Sequence, residues 1–164
     1  GAALARLDAA LAAAEPAAVD AIVEAVAPAV ARAGALGIRI GLETGYHPTD
    51  APGPAGMRAV LDAVAEPGLG AWLDTGHVGA QVNLGRVAFD DWFAAVGDRW
   101  VGVHFHDVAG LRDHLAAGMG TLDFAAIGTR LPVDAVRTCE FDWYLTPDEV
   151  VRGADHLRAA ACGA

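Results

Sequence analysis

The sequence contains no lysine and no serine, so all 11 of its basic residues are arginine. Without lysine the chain offers no Schiff-base amine and no P-loop lysine, and without serine it offers no serine nucleophile. These absences exclude three common catalytic groups from the 164 residues. Chemistry by Asp, Glu and His side chains remains.

Positive charge and cysteine are both scarce. The 21 acidic residues outnumber the basic ones and give a formal net charge of -10, whereas a nucleic-acid surface needs clustered positive charge. Cys139 and Cys162 form neither a C-x-x-C pair nor a disulfide framework, which favours a reducing compartment. We therefore expect no nucleic-acid partner and a cytoplasmic location.

Long uncharged apolar runs are also missing. None reaches the roughly 18 residues of a membrane span, and no signal peptide is recognisable at the start of the sequence. The chain is nevertheless 54% hydrophobic, enough to bury a core. We expect no membrane partner and a single domain over residues 1–164.

Helical and strand-like segments alternate along most of the chain. Two helices are expected first, 2–14 and 17–34, separated at Glu15-Pro16 because proline interrupts a helix. Four strand–loop–helix units follow, and no hairpin signal is visible. Their predicted strands, loops and helices are 38–43, 44–55 and 55–65; 69–74, 75–86 and 88–96; 100–106, 107–121 and 123–130; and 135–140 with a helix from Thr146 to about residue 161.

This alternation predicts an α/β fold with parallel strands. The long Gly/Pro-rich loops follow the strands and the returns are short, which is typical of a (β/α)8 barrel. A complete barrel needs about 200–250 residues, so four strands correspond to its C-terminal half. We expect that N-terminal strands are missing from this chain, or that two halves assemble from two chains as a homo-oligomer.

Acidic residues and histidines lie where the four apolar runs end. Glu43, Asp74 and Glu140 close three of them, and His104 and His106 close the fourth. Because alternate residues of a strand share a face, these side chains are predicted on the inward face, and Val101 on the helix-facing side with Val103 and Phe105. Carboxylates and an imidazole at one end of a sheet suit a divalent cation.

The predicted ligands are Glu43, Asp74, His104 and Glu140, around Mn2+, Mg2+, Co2+ or Zn2+. Each residue taken alone could instead cap a loop, and His106 could replace His104. His77, the last residue of the four-residue segment Asp74-Thr-Gly-His77 at a strand end, could bind either metal or substrate. His114 could bind a second metal or a substrate oxygen, or lie in a solvated loop, while Cys139 is predicted to be a helix-facing core thiol.

Several short segments in a fixed order resemble the xylose-isomerase-like TIM-barrel superfamily, which includes sugar-phosphate isomerases and epimerases, ketose 3-epimerases, inosose dehydratases and endonuclease IV. The resemblance covers about residues 35–160. The segments are Gly-Ile-Arg-Ile-Gly-Leu-Glu43, Leu-Asp74-Thr-Gly-His77, Val-His104-Phe-His106-Asp107, Asp113-His114 with Gly118-Met119-Gly120-Thr-Leu-Asp-Phe, and Cys139-Glu140.

This resemblance implies one divalent cation, most simply Mn2+, and an isomerase or epimerase acting on a small sugar, sugar phosphate or polyol through an enediolate. Glu43 and Glu140 would transfer the protons as well as bind the metal. The substrate would be bound by His77, His106, Arg112 and His114. Arg112 would stand in for an arginine that ketose 3-epimerases carry near position 110, and Met119 replaces an acidic residue often found between the two glycines.

Two alternatives stay open at the level of sequence. The histidines and Asp113 are also compatible with a metal phosphodiesterase similar to endonuclease IV. The chain could also be an inactive half barrel that needs a partner half, because four parallel strands leave two open edges.

Overall fold

The structure is a computed structural model that describes residues 2–160 and residue 162. Its elements in chain order are α1 (Ala2–Gly34), β1 (Ile40–Glu43), α2 (Pro54–Val64), β2 (Leu69–Asp74), α3 (Thr75–Asn83), α4 (Phe89–Val96), β3 (Trp100–Phe105), β4 (Asp107–Ala109), β5 (Arg112–Leu115), α5 (Phe124–Gly128), β6 (Val136–Cys139) and α6 (Pro147–Ala159). No helix in the described part of the chain has the length and apolar character that crossing a bilayer requires.

Four strands form one parallel sheet in the order β1-β2-β3-β6, and a helix or helices lie between successive strands. Asp74 lies opposite His104 in the register, and His104 lies opposite Thr138. The carboxyl ends of the four strands therefore meet at one edge. The predicted α/β fold, with parallel strands alternating with helices as in part of a TIM barrel, is confirmed.

One face of the sheet forms the hydrophobic core against the helices. Leu73, Val103 and Phe105 are at most 1% exposed and pack with Met57 of α2 and Trp92 of α4. Burial of such side chains stabilises the fold by about 1.5–3 kcal/mol each. This core holds the strands rigidly and leaves their other face for polar chemistry.

A tryptophan fills the opposite, inward face below the strand ends. A Cβ atom added to Gly102 would overlap the indole of Trp72, and one added to Gly41 would lie 3.0–3.1 Å from it. The two glycines on neighbouring strands thus make room for one large ring. The ring centroid of Trp72 lies 4.9 Å from that of His104, directly beside the polar layer.

The prediction that Val101 faces the helices is wrong. The register between β2 and β3 shifts after Ala71. Ala71 pairs with Trp100, but the next residue of β2, Trp72, pairs with Gly102. The bulge leaves Val101 as the extra residue, and its side chain occupies the space beside Gly41 and Gly70 on the inward face. Alternation resumes at Gly102, so His104 still faces inward.

The predicted break at Glu15-Pro16 is also wrong, because α1 continues through both Pro16 and Pro28. A proline removes one helical hydrogen bond, but the alanine-rich segments on either side favour the helix. Glu15 also anchors this region, since its Oε1 accepts the N–H of Gly53 at 3.0 Å, at the N-terminus of α2.

Two segments predicted as loops contain regular structure. Residues 75–83 form α3, which Asp74 caps by accepting the His77 N–H at 2.8 Å. Its glycines suggested a loop, but Gly76 and Gly79 are needed for close packing, since a Cβ atom at either would overlap His106 or Val108. Strands β4 and β5 form an antiparallel hairpin whose turn uses Gly110 at a positive φ of 65°, contrary to the expectation of no hairpin.

Candidate metal centre

Four side chains from four different strands converge at the carboxyl edge of the sheet. Glu43, Asp74, His104 and Glu140 each offer one ligand atom, and these atoms lie within 4.8 Å of one another. The convergence follows from parallel pairing, because each residue lies at or next to the carboxyl end of its own strand. The structure therefore brings together the four residues that the sequence pattern singled out.

The Nδ1 atom of His104 lies at the middle of this cluster. It is 2.8 Å from Oε2 of Glu140, 3.0 Å from Oε1 of Glu43 and 3.7 Å from Oδ2 of Asp74. The contact with Asp74 is the largest cause that raises the pKa of His104 to about 9, with Glu43 and Glu140 adding to it against the opposing effect of burial. A cation at this position is strongly favoured, whether a proton or a metal ion.

Asp74 is the most deeply buried member of the cluster, with no exposed side-chain surface. Burial by itself would raise the pKa of its carboxyl, but His104 and His106 hold that pKa well below its usual range. Oδ1 accepts the His77 N–H, while Oδ2 is buried without a hydrogen-bond partner. A buried carboxylate oxygen of this kind is costly unless a cation binds it.

These donors fit a hard or borderline divalent cation. Three carboxylates and one imidazole nitrogen match the ligands of Mn2+, Mg2+ and Co2+, and match Zn2+ less well. The two glutamates are much more exposed than Asp74, at 43% for Glu43 and 42% for Glu140. They can therefore contact a molecule that approaches from the open side.

Backbone pairing beyond the strands holds these residues in place. Thr44, 1% exposed, donates its N–H to the Trp72 carbonyl at 3.1 Å, and its Oγ1 accepts the Asp74 N–H at 3.0 Å. On the other side, the Glu140 N–H donates to the Phe105 carbonyl at 3.1 Å. Sequence reasoning missed Thr44, although a threonine directly after a strand-end glutamate is suited to this role.

A second group of histidines lies beside the first cluster. His77, His106 and His114 have ring nitrogens within 4.8 Å of one another. His77 Nδ1 lies 3.0 Å from the Thr44 carbonyl, which can only accept, so Nδ1 carries the hydrogen. Asp113 lies 3.9 Å from His77 Nε2 and 3.2 Å from His114 Nδ1, so it links these two rings.

His106 does not lie on the open side of the site, as a direct substrate contact would require. It is 0% exposed and stacks on His114 with ring centroids 4.1 Å apart. Its Nδ1 accepts the His114 N–H at 2.8 Å, and its Nε2 lies 2.7 Å from Oδ1 of Asp74. The structure thus places His106 behind Asp74, and direct substrate binding by His106 is corrected on this ground.

Arg112 lies at the tip of the β4–β5 hairpin and contacts Tyr144, on the loop after Glu140. Its Nη2 donates to the Tyr144 hydroxyl at 2.9 Å, with the guanidinium 5.4 Å from the ring centroid. On the other side of the tip, Tyr46 donates its hydroxyl hydrogen to the Leu111 carbonyl at 2.6 Å. The hairpin is therefore tied to the loops that follow β1 and β6.

Asp107 organises the loop after the hairpin. The side chain is 1% exposed, and its two oxygens accept four backbone N–H groups. The donors are Val108 at 2.9 Å, Leu122 at 3.1 Å, Gly118 at 2.9 Å and Gly120 at 2.9 Å. These four contacts make Asp107 the anchor of this loop.

Cys139 is not the core thiol that was predicted. Its side chain is exposed because β6 is an outer strand of the four-stranded sheet, whereas Cys162 is buried and donates to the Phe124 carbonyl at 2.8 Å. Partial desolvation raises the pKa of the Cys139 thiol and burial raises that of Cys162, and both shifts disfavour the thiolate.

The fold and the site together define a protein of the (β/α)-barrel class with its polar centre at the carboxyl ends of the strands. The family model described as "Xylose isomerase-like TIM barrel" matches residues 5–160, and the chain belongs to that family. The family is mostly enzymatic and includes isomerases, epimerases and endonuclease IV-like enzymes. No curated protein and no solved structure matches the chain.

Proposed function

We propose that this protein is a divalent-metal-dependent isomerase or epimerase acting on a small sugar, sugar phosphate or polyol. The observation that carries the proposal is the convergence of Glu43, Asp74, His104 and Glu140, with Oδ2 of Asp74 buried and unpartnered. These four residues would hold the cation, and Mn2+ suits the mixed oxygen and nitrogen donors best. When bound, the cation polarises a substrate carbonyl and hydroxyl and stabilises the negative charge of an enediolate.

Glu43 and Glu140 are proposed to transfer the protons. Glu43 closes β1 and Glu140 directly follows β6, and these are the two outer strands, so the two glutamates approach the centre from opposite sides. One carboxylate takes the proton from a carbon next to the carbonyl, and the electron pair of the C–H bond moves into the enediolate. The other glutamate, as a carboxylic acid, returns a proton to carbon or oxygen, which completes an epimerisation or an isomerisation.

Three further side chains are proposed to bind the substrate. His77 and His114 flank the cluster through Asp113, and Arg112 lies at the hairpin tip beside Tyr144. Their nitrogen donors are suited to sugar hydroxyls or to a phosphate. We place the reaction in the cytoplasm, a proposal supported by the two free thiols, Cys139 and Cys162.

The test is proton exchange between solvent and substrate. The Mn2+-loaded protein is incubated in D2O with ketoses, aldoses and their phosphates, and NMR is expected to show deuterium at the carbon next to the carbonyl. Glu43→Gln and Glu140→Gln should each slow exchange by about 10²–10⁴-fold. Glu66→Gln makes the same chemical change at an exposed glutamate and should have no effect. Failure of the wild-type protein to bind Mn2+ would contradict the proposal.

One observation favours a second candidate, a metal phosphodiesterase similar to endonuclease IV. The group of His77, His106 and His114 could support a further metal ion. However, both ring nitrogens of His106 already face protein groups, which leaves His77, His114 and Asp113 as ligands. Cleavage of abasic-site DNA by the Zn2+-loaded protein would favour this candidate, but the net charge of -10 opposes it.

A further inference from the structure

His106 has a defined tautomer because of its backbone contacts. Its Nδ1 lies 2.8 Å from the backbone nitrogen of His114, and an amide N–H can only donate. Nδ1 therefore has its lone pair directed at that N–H, and the hydrogen of the neutral ring is on Nε2. Nε2 lies 2.7 Å from Oδ1 of Asp74.

The ring is also confined by its neighbours. It stacks on His114 with an interplanar angle of 14°, and on another side a Cβ atom at Gly76 would overlap it. Thr75 holds the backbone, since its hydroxyl donates to the His106 carbonyl at 2.7 Å and accepts the His106 N–H at 3.1 Å. The imidazole therefore cannot move away from Asp74 without disturbing α3 and the hairpin.

Two buried polar atoms at this contact have no hydrogen-bond partner: Oδ2 of Asp74 and Nε2 of His106. Nε2 lies 2.7 Å from Oδ1 without the alignment of a standard hydrogen bond, and Oδ1 is the acceptor within its reach. Oδ2, the other oxygen of Asp74, lies 3.7 Å from Nδ1 of His104, on the side of the ligand cluster.

We propose that His106 is a positioning residue for the metal centre: its Nε2–H holds Oδ1 of Asp74 so that Oδ2 alone binds the cation. This proposal rests on the proposed metal site and specifies that Asp74 is a monodentate ligand. It also explains why the Asp-Thr-Gly-His segment needs glycine at position 76. Through the His114 N–H, the same imidazole connects the β4–β5 hairpin to the metal centre.

Two amide variants separate the two contacts of His106. Asn places a carbonyl oxygen near the position of Nδ1, so His106→Asn keeps an acceptor for His114 but removes the imidazole donor to Asp74, whose Oδ1 then has only the His77 N–H. Gln places an amide nitrogen near the position of Nε2, so His106→Gln keeps the donor to Asp74. Mn2+ affinity, measured by calorimetry or EPR, should fall about 10–100-fold in His106→Asn and stay within a few-fold of wild type in His106→Gln.

Thermal unfolding in EDTA measures the structural part of each change separately. The proposal would be overturned if both variants lost Mn2+ affinity equally and if their melting temperatures in EDTA fell by a corresponding amount. That result would show that His106 has only a structural role. Unchanged affinity in His106→Asn would also overturn it. Failure of the wild-type protein to bind Mn2+ is a different result, because it removes the proposed function itself.

A measurement on the wild-type protein covers the case in which a variant does not fold. In ¹⁵N NMR of the Mg2+-loaded protein, Nε2 of His106 should carry a hydrogen and Nδ1 should not, because Nδ1 accepts the His114 N–H. A hydrogen on Nδ1 with none on Nε2 would overturn the proposal, because Nε2 could then not donate to Asp74.

Discussion

At the scale of single residues, the proposed metal centre would make a proton and a metal ion compete for the same place. His104 Nδ1 lies among three carboxylates, and its pKa is raised to about 9. In the metal-free protein at neutral pH the imidazole is therefore protonated and acts as the internal cation of the cluster. A metal ion needs the neutral ring as a ligand, so binding must release this proton.

We predict that metal affinity increases with pH, by about tenfold per unit, from neutral pH up to about 9. The slope arises because the folded metal-free protein holds a proton on His104 that the metal complex does not hold. Calorimetry with Mn2+ at several pH values, in buffers of different ionisation enthalpy, should show release of about one proton per ion at pH 7. His104→Gln should bind Mn2+ weakly and with a flatter pH dependence; an unchanged slope would contradict the assignment.

The candidate ligands could be predicted from sequence, whereas the role of His106 could not. Glu43, Asp74, His104 and Glu140 follow from two local rules, the alternation of side chains and the common edge of parallel strand ends. Whether His106 faces substrate or Asp74 depends on how the first turn of α3 packs against β3. Sequence spacing does not encode that packing, so the sequence alone predicts a substrate contact for the inward imidazole of His106.

At the scale of elements, one buried carboxylate sets the course of the loop between the hairpin and α5. Asp107 accepts four backbone N–H groups from residues 108, 118, 120 and 122. Hydrogen bonds to a charged group contribute about 1.5–3 kcal/mol each, and an N–H left buried without an acceptor costs a similar amount. This loop therefore depends on Asp107 much more than on its glycines.

We predict that Asp107→Ala lowers the free energy of unfolding by roughly 3 kcal/mol or more, because it leaves these N–H groups without an acceptor. Urea unfolding followed by circular dichroism measures the change. The matched control is Asp98→Ala, which removes an exposed carboxylate and should change stability by less than about 0.5 kcal/mol. Similar losses in the two variants would contradict the anchoring role.

The strands were predictable to within about two residues, but α1, α3 and the hairpin were not. The wrong predictions arose at residues whose strong local preference for one backbone conformation is outweighed by tertiary contacts. Pro16 normally ends a helix, yet Glu15 holds α1 against the start of α2. Gly76 and Gly79 are typical of loops, yet here they allow a helix to approach His106 and Val108 closely.

At the scale of the whole molecule, the described strands form an open sheet with β1 and β6 as its edges. Unpaired edges of this kind bind further strands readily. A second copy of the chain or an N-terminal half of the barrel would supply such strands. That either of them binds here remains a prediction. The four strands already meet at the candidate metal centre, because each has one of the four candidate ligand residues at or next to its carboxyl end.

We therefore predict that Mn2+ stabilises the fold as a whole. A ligand at 100 times its dissociation constant adds about 2.7 kcal/mol to the free energy of unfolding, which corresponds to a rise in Tm of roughly 5–10 °C for a chain of this size. Differential scanning calorimetry with and without EDTA measures the shift. Asp74→Asn should abolish the rise in Tm. Asp134→Asn, the same change at an exposed aspartate, should keep this rise. No rise in the wild-type protein would argue against a cation at this centre.

The position of Trp72 affects how small molecules can enter and leave the site. Its indole blocks passage toward the amino ends of the strands, immediately below His104. Glu43 and Glu140 are the more exposed members of the ligand cluster, so its open side lies beside them. In the proposed reaction, reactant and product would share this side, so we expect the accumulated product to act as a competitive inhibitor.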